Sequence, residues 1–133
     1  MAHLKVLVTE DSQSQFAIIR HYLESSGMEV VRASRGEEVL EIVAKEKPDA
    51  VVLDLMLPGI NGFEVCRRLK ADPKTRDVPV VFLSAIEKRR AEEEARAAGA
   101  DEYLSKEDFD LTELGEIVGR LVSRKGSKPK KEK

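Results

Sequence analysis

Apolar residues fall along this chain in two alternating rhythms. Leu4 to Thr9 alternates and then fills with valine, and Glu29 to Ala33, Ala50 to Leu53, Val78 to Leu83 and Glu102 to Ser105 are further short runs rich in β-branched or aromatic residues. Runs this brief predict strands, and the unbroken ones fit strands buried on both faces of a parallel sheet. Between them the apolar positions switch to helical spacing. Phe16, Ile18, Ile19, Tyr22 and Leu23 mark a helix from about Ser12 to Glu24, and Val39, Leu40, Val43 and Ala44 mark a second. Phe63, Cys66 and Leu69 define a third, while Leu111, Leu114, Ile117, Val118, Leu121 and Val122 give the last a well-formed apolar face. The fourth helix, Glu87 to Ala98, offers only Ala91, Ala95 and Ala98 to the interior, so it is expected to be the least firmly anchored.

Local signals punctuate this pattern. Gly27 and Gly99 supply helix stops, and Asp72-Pro73 ends the third helix, which Asn61 can cap. Ser34-Arg35-Gly36-Glu37 has the spacing of a capping box at the start of the second helix. Pro79 is expected near the beginning of the fourth strand, where a missing N–H costs least. Strand and helix thus alternate five times, which predicts an α/β fold, (βα)5, with a doubly wound parallel five-stranded sheet and helices on both faces.

Composition narrows the picture. The 133 residues are 41% apolar, enough for one domain with a sizeable core, expected over residues 1–123. From Arg124 the chain loses its apolar residues and carries several lysines against Glu132 alone, so residues 124–133 are expected to be a disordered basic tail. No aromatic residue is interleaved with those lysines, which favours a solvated end over contact with nucleic acid or an acidic partner. The 23 basic and 25 acidic residues leave no overall field that would draw the chain to nucleic acid or an anionic membrane. Cys66 is the only cysteine, so it forms no internal disulfide, and its apolar neighbours make it a packed thiol. With no signal peptide in the first residues and no membrane-spanning run, the expected location is cytoplasmic.

Candidate chemistry gathers where the strands end. In a parallel sheet the carboxyl ends of all strands share one edge, and ligands bind in the crevice beyond it. The first strand ends in Glu10-Asp11, the third in Asp54, the fourth in Ser84 and the fifth leads to Lys106. Taken alone, Asp54 fits equally well the close of a strand before a Pro58-Gly59 turn. Grouped acids repel one another, so the set makes best sense if a hard divalent cation neutralises them. Magnesium, which takes a few carboxylates plus water and phosphate oxygens, suits this edge better than zinc, which prefers His or Cys. A carboxylate in such a setting can attack phosphorus and form an acyl phosphate. Lys106 and the Ser84 hydroxyl are then placed to hold the transferred oxygens.

Glu10-Asp11, Asp54 with Leu57-Pro58-Gly59 and Gly62, Ser84-Ala85, Gly99-Ala100-Asp101 and Tyr103-Leu104-Ser105-Lys106 together resemble the response-regulator receiver domain, in particular the chemotaxis-regulator type. The resemblance spans roughly Leu4 to Val122. It implies a flavodoxin-like fold with strand order 2-1-3-4-5. It further implies that Asp54 accepts a phosphoryl group from a sensor histidine kinase or a histidine phosphotransfer protein, making the chain a two-component signalling switch. Glu10, Asp11, Asp54 and the Met56 main-chain carbonyl would bind Mg2+, with Glu10 acting directly or through a water. Lys106 and Ser84 would assist, and Ser84 and Tyr103 would switch the surface of the fourth helix, fifth strand and fifth helix toward a downstream effector protein. A Tyr103 that packs permanently is the alternative. Direct DNA binding is not expected, a monomer is expected with a dimer left open, and self-phosphorylation and dephosphorylation are its only implied catalysis.

Three departures from the pattern stand out: Glu107 where proline commonly follows the lysine, Glu10 for the commoner Asp, and Ser84 for Thr. Met56 and Ile86 each lie two residues beyond a site residue, and their bulk is expected to favour a long-lived phosphorylated form. Two other functions compete. A degenerate receiver would dock proteins without phosphorylation, which the intact acid set disfavours. An Asp-nucleophile phosphatase of the haloacid dehalogenase type would need a second Asp as general acid two residues after the first, and that position is Met56.

Overall fold

The computed structural model describes residues 3–126. Five strands, β1 (Lys5–Thr9), β2 (Glu29–Ala33), β3 (Ala50–Leu53), β4 (Val80–Ser84) and β5 (Glu102–Ser105), alternate with helices α1 (Gln13–Ser25), α2 (Gly36–Glu46), α3 (Gly62–Ala71), α4 (Lys88–Ala97) and α5 (Leu114–Gly126). All strand pairs are parallel, in the order β2-β1-β3-β4-β5. The apolar alternation along each strand explains why both faces are covered. Leu7, Val51, Leu53, Val80, Phe82 and Tyr103 pack with α2, α3 and α4 residues such as Val39, Val43, Val65, Leu69 and Ala91. Val6, Val8, Val52, Val81, Leu83 and Leu104 turn the other way, toward Phe16, Ile19 and Leu23 of α1 and Leu114, Val118 and Leu121 of α5. Each such fully buried side chain contributes about 1.5–3 kcal/mol of apolar burial.

Helix ends follow local chemistry. Ser12 Oγ accepts from the Gln15 N–H at 3.3 Å and Asn61 Oδ1 from the Glu64 N–H at 3.0 Å, so both residues cap as their side chains allow. The expected capping box at Ser34 is shifted. Arg35 is the cap residue of α2 and caps with no side-chain bond, and it is Glu38, not Glu37, whose carboxylate accepts from the Ser34 N–H at 2.8 Å. Because the helix begins at Gly36 and not at Arg35, the reaching carboxylate stands one residue later than the motif suggests.

Other boundaries differ from the sequence reading in small ways. Pro79 lies just before β4, where its carbonyl accepts from the Val51 N–H at 2.9 Å. Ile18 is 49% exposed, because it stands about 200° around the helix from Phe16 and so leaves the inner stripe. Ala44 is exposed for the same kind of reason. The last helix opens with a 3₁₀ turn, Leu111–Glu113, and α5 runs on to Gly126, past the point where apolar residues stop, since extending a formed helix costs little. The remainder of the expected tail lies outside the described residues. Among the described residues, no helix is long and apolar enough to cross a membrane.

Candidate functional site

Thr9 ends β1 with its side chain buried, and its hydroxyl does two jobs. It donates to the Val52 carbonyl at 3.3 Å and accepts from the Asp54 N–H at 2.8 Å, fixing the point where the chain leaves β3. Asp54 follows, only 8% exposed, with Oδ1 accepting from the Met56 N–H at 3.1 Å. The next turn folds back tightly. Gly62, the first residue of α3, donates its N–H to the Leu55 carbonyl at 3.2 Å, and a Cβ there would stand 2.7 Å from the Asp54 carbonyl oxygen. Glycine therefore lets α3 begin against the Asp54 loop.

Lys106 reaches this carboxylate from the end of β5. Its Nζ lies 3.0 Å from Glu10 Oε1, 3.0 Å from Gln15 Oε1 and 3.7 Å from Asp54 Oδ2. Glu10 is buried, and its other oxygen accepts from the Ser12 N–H at 3.3 Å. The ammonium thus offsets the repulsion between two buried carboxylates, which would otherwise be costly. The peptide bond after Lys106 is trans, as are all others among the described residues. Asp11 lies in the exposed loop beyond β1, and its carboxylate has no hydrogen bond or ion pair with any described residue.

The arrangement brings Glu10, Asp54 and Lys106 into direct contact range and sets Ser84 close by, at the end of the neighbouring strand β4. Ser84 is fully buried, and its Oγ accepts from the Ile86 N–H at 3.3 Å. Tyr103 is already turned inward, with its Oη donating to the Ile86 carbonyl at 2.8 Å and its ring 6.0 Å from that of Phe82. Burial pushes its phenol above the ordinary value; the nearby Ser84 hydroxyl opposes this and the charge of Asp54 adds to it. Met56, two residues beyond Asp54, is 65% exposed, and Ile86 is half-buried.

The donor set is one of hard oxygens. Asp11 is free to turn, Asp54 keeps one oxygen without a hydrogen bond, and no His or Cys stands among them, which fits magnesium and not zinc. Among the described residues, no three His, Cys, Asp or Glu side chains approach closely enough to form a ready-made cage. Magnesium does not require one, since it retains several waters and takes only one or two carboxylates.

Four residues of the site escaped the sequence reading. Gln15 is an exposed polar residue of α1. Thr9 was the more legible, as a hydroxyl at the end of a strand beside the one that ends in Asp54. Arg32 of β2 donates to the Glu10 carbonyl at 3.1 and 3.0 Å and to the Asp11 carbonyl at 3.2 Å, while its guanidinium lies over the Phe16 ring at 5.1 Å. It fastens the acidic loop, but carbonyl acceptors carry no residue identity, so no pattern announces it. Ser105 is the fourth. Beside the site a recess of about 440 Å³ is lined by Gln15, Ile18, Leu83, Ala85, Lys106 and Leu111.

The chain resembles known proteins along most of its length. A family model described as the response regulator receiver domain matches residues 6–118. The phosphate regulon transcriptional regulatory protein PhoB of Rhizobium meliloti is 38% identical over 124 residues, covering 90% of this chain and 52% of that protein. The polar-differentiation response regulator DivK of Brucella anthropi is 34% identical over 101 residues, covering 76% of this chain and 82% of DivK. Among solved structures, the receiver domain of the sensor histidine kinase PA1611 from Pseudomonas aeruginosa superimposes with a TM-score of 0.82 at 28% identity, covering 92% of this chain and 99% of that one. That structure has a magnesium ion coordinated in its active-site cleft. The chain spans about half the length of the PhoB relative.

Proposed function

This chain belongs to the response regulator receiver domain family of two-component systems, and from that premise we propose that it is a phosphorylation-dependent switch whose phosphoryl acceptor is Asp54. The observation that carries the reading is the placement of Lys106 Nζ 3.7 Å from Asp54 Oδ2 at the carboxyl edge of the sheet, with Glu10 bonded to the same ammonium. A carboxylate so held is oriented by the Met56 N–H and faces a cation. An Asp54 oxygen attacks the phosphorus of a phosphohistidine, the new O–P bond forms as the N–P bond breaks, and the departing imidazole takes up a proton. Lys106 stabilises charge on the transferred oxygens and Ser84 donates its hydroxyl to one of them.

Glu10, Asp11 and Asp54, with the Met56 main-chain carbonyl, would hold Mg2+, whose charge offsets that of the phosphoryl oxygens. The donor is a sensor histidine kinase or a histidine phosphotransfer protein. The reader is an effector protein that contacts the α4, β5 and α5 face, with Tyr103 reporting the state of Ser84. Met56 and Ile86 shield the acyl phosphate from water. The place of action is the cytoplasm.

Acetyl phosphate tests the reading without knowledge of the donor. Incubated with it and magnesium, the protein gains the mass of one phosphoryl group, and Asp54→Ala gains none. Equal modification of both proteins, or of neither, contradicts the assignment.

A further inference from the structure

Among the described residues, one buried side-chain polar atom has no hydrogen-bond partner: Ser105 Oγ. Ser105 is 4% exposed, at the last position of β5 and next to Lys106. A hydroxyl left unpaired in a protein interior loses its hydration without compensation, so such groups call for an explanation. The sheet register supplies one. Ser105 is the direct partner of Ser84 across β4 and β5. Ser84 shares the face of Val80 and Phe82 and Ser105 that of Tyr103, so both hydroxyls stand on the α4 side of the sheet.

Strand order gives this pairing a direction. β4 lies between β3, which Asp54 follows, and β5, which ends at Ser105. Ser84 has one O–H hydrogen to give. Asp54 lies on the β3 side of Ser84, and Ser105 is its register partner on the β5 side. In the present structure Tyr103 is inward, Ser84 Oγ takes a bond from the Ile86 N–H and lies against the Tyr103 phenol, and Ser105 is left unpaired.

We propose that Ser105 is a positioning residue acting through Ser84, a brake that offers Ser84 a hydrogen bond only when its hydroxyl is turned away from Asp54. The inference rests on the assignment of Ser84 to the phosphoryl group. Forming the Ser84–Ser105 bond favours the arrangement with Ser84 turned from Asp54, and turning Ser84 away from β5 breaks it, leaving Ser105 unpaired as in the arrangement with Tyr103 inward. One net hydrogen bond shifts such an equilibrium by roughly two- to tenfold.

The test is titration of the full chain, in magnesium, with beryllofluoride as the phosphoryl mimic. Binding is read by calorimetry and the Tyr103 ring by NMR, for wild type, Ser105→Ala, Ser84→Ala and the double variant. Ser105→Ala is expected to bind beryllofluoride roughly two- to tenfold more tightly and to raise the inward population of Tyr103. In the Ser84→Ala background the same change is expected to do nothing, because the partner through which Ser105 acts is gone. A Ser105→Ala protein with unchanged or weaker affinity overturns the brake, even if its melting temperature shifts, as does an equal gain in both backgrounds. Wild type that binds no beryllofluoride sinks the assignment of Asp54 as well, whereas binding abolished by Asp54→Ala but indifferent to Ser105 sinks the brake alone.

Discussion

At the scale of single residues the site depends on small groups that hold larger ones. Thr9 is the clearest case, since its hydroxyl is the acceptor for the N–H of Asp54. Thr9→Val keeps the shape and removes the acceptor, and it is expected to cost about 1–3 kcal/mol in urea unfolding, the penalty for a buried N–H left unpaired. A loss below about 0.5 kcal/mol, typical of neutral surface changes, would show that the bond is dispensable. Cys66 makes a second prediction. Its thiol is buried, donates to the Ala98 carbonyl at 3.4 Å, and is pushed up to about 11 by burial. The folded thiol therefore stays protonated where the unfolded one ionises, so its contribution is whole below about pH 9 and is lost as the pH climbs toward about 11. Tyr103 shifts in the same sense, so the comparison must isolate Cys66. Stability of wild type is expected to fall more across that window than stability of Cys66→Ala; parallel curves would contradict it. The acids, Ser84 and Lys106 were legible because strand ends in a parallel sheet share one edge. Arg32 and Gln15 were not, because their roles depend on backbone carbonyls and on the reach of one lysine.

Among the elements, α4 differs from its neighbours. Its inner face is Ala91 and Ala95, with Ala98 just beyond, against Val65, Cys66 and Leu69 on α3 and Leu114, Val118 and Leu121 along α5. Small side chains bury little apolar area, and Glu87 begins the helix without a side-chain cap. This was legible from the sequence, since three alanines at helical spacing say both that the helix is amphipathic and that it is thinly anchored. Native-state hydrogen exchange is expected to run fastest among the helices in α4, well ahead of β1 and β3. Protection in α4 equal to that in α3 would remove the ground for treating it as the mobile part of the switch. Capping was harder to read. Asn61 and Ser12 behaved as local sequence suggests, but at Ser34 the motif was met by Glu38 because the helix starts at Gly36, a one-residue shift that the Ser-x-x-Glu spacing cannot reveal.

For the molecule as a whole, the alternation of strand and helix determined the fold class, and the sheet has the order that the family resemblance implied. Periodicity alone does not fix that order, which depends on which apolar face each crossover covers. The consequence is functional. Placing β3 between β1 and β4, with β5 outside, brings Glu10, Asp54, Ser84 and Lys106 to one edge although they are spread over most of the chain. The proposal is that this convergence makes Asp54 the phosphoryl acceptor, its carboxylate oxygen bonded to phosphorus as an acyl phosphate. Borohydride reduction tests it most directly, because it converts a phosphoaspartate to homoserine while leaving ordinary aspartate and phosphoserine unchanged. After acetyl phosphate and magnesium treatment, peptide mass spectrometry is expected to find homoserine at position 54 and at no other aspartate. Homoserine at Asp11, or a phosphoryl group retained on Ser84 or a histidine with position 54 unreduced, would contradict the account.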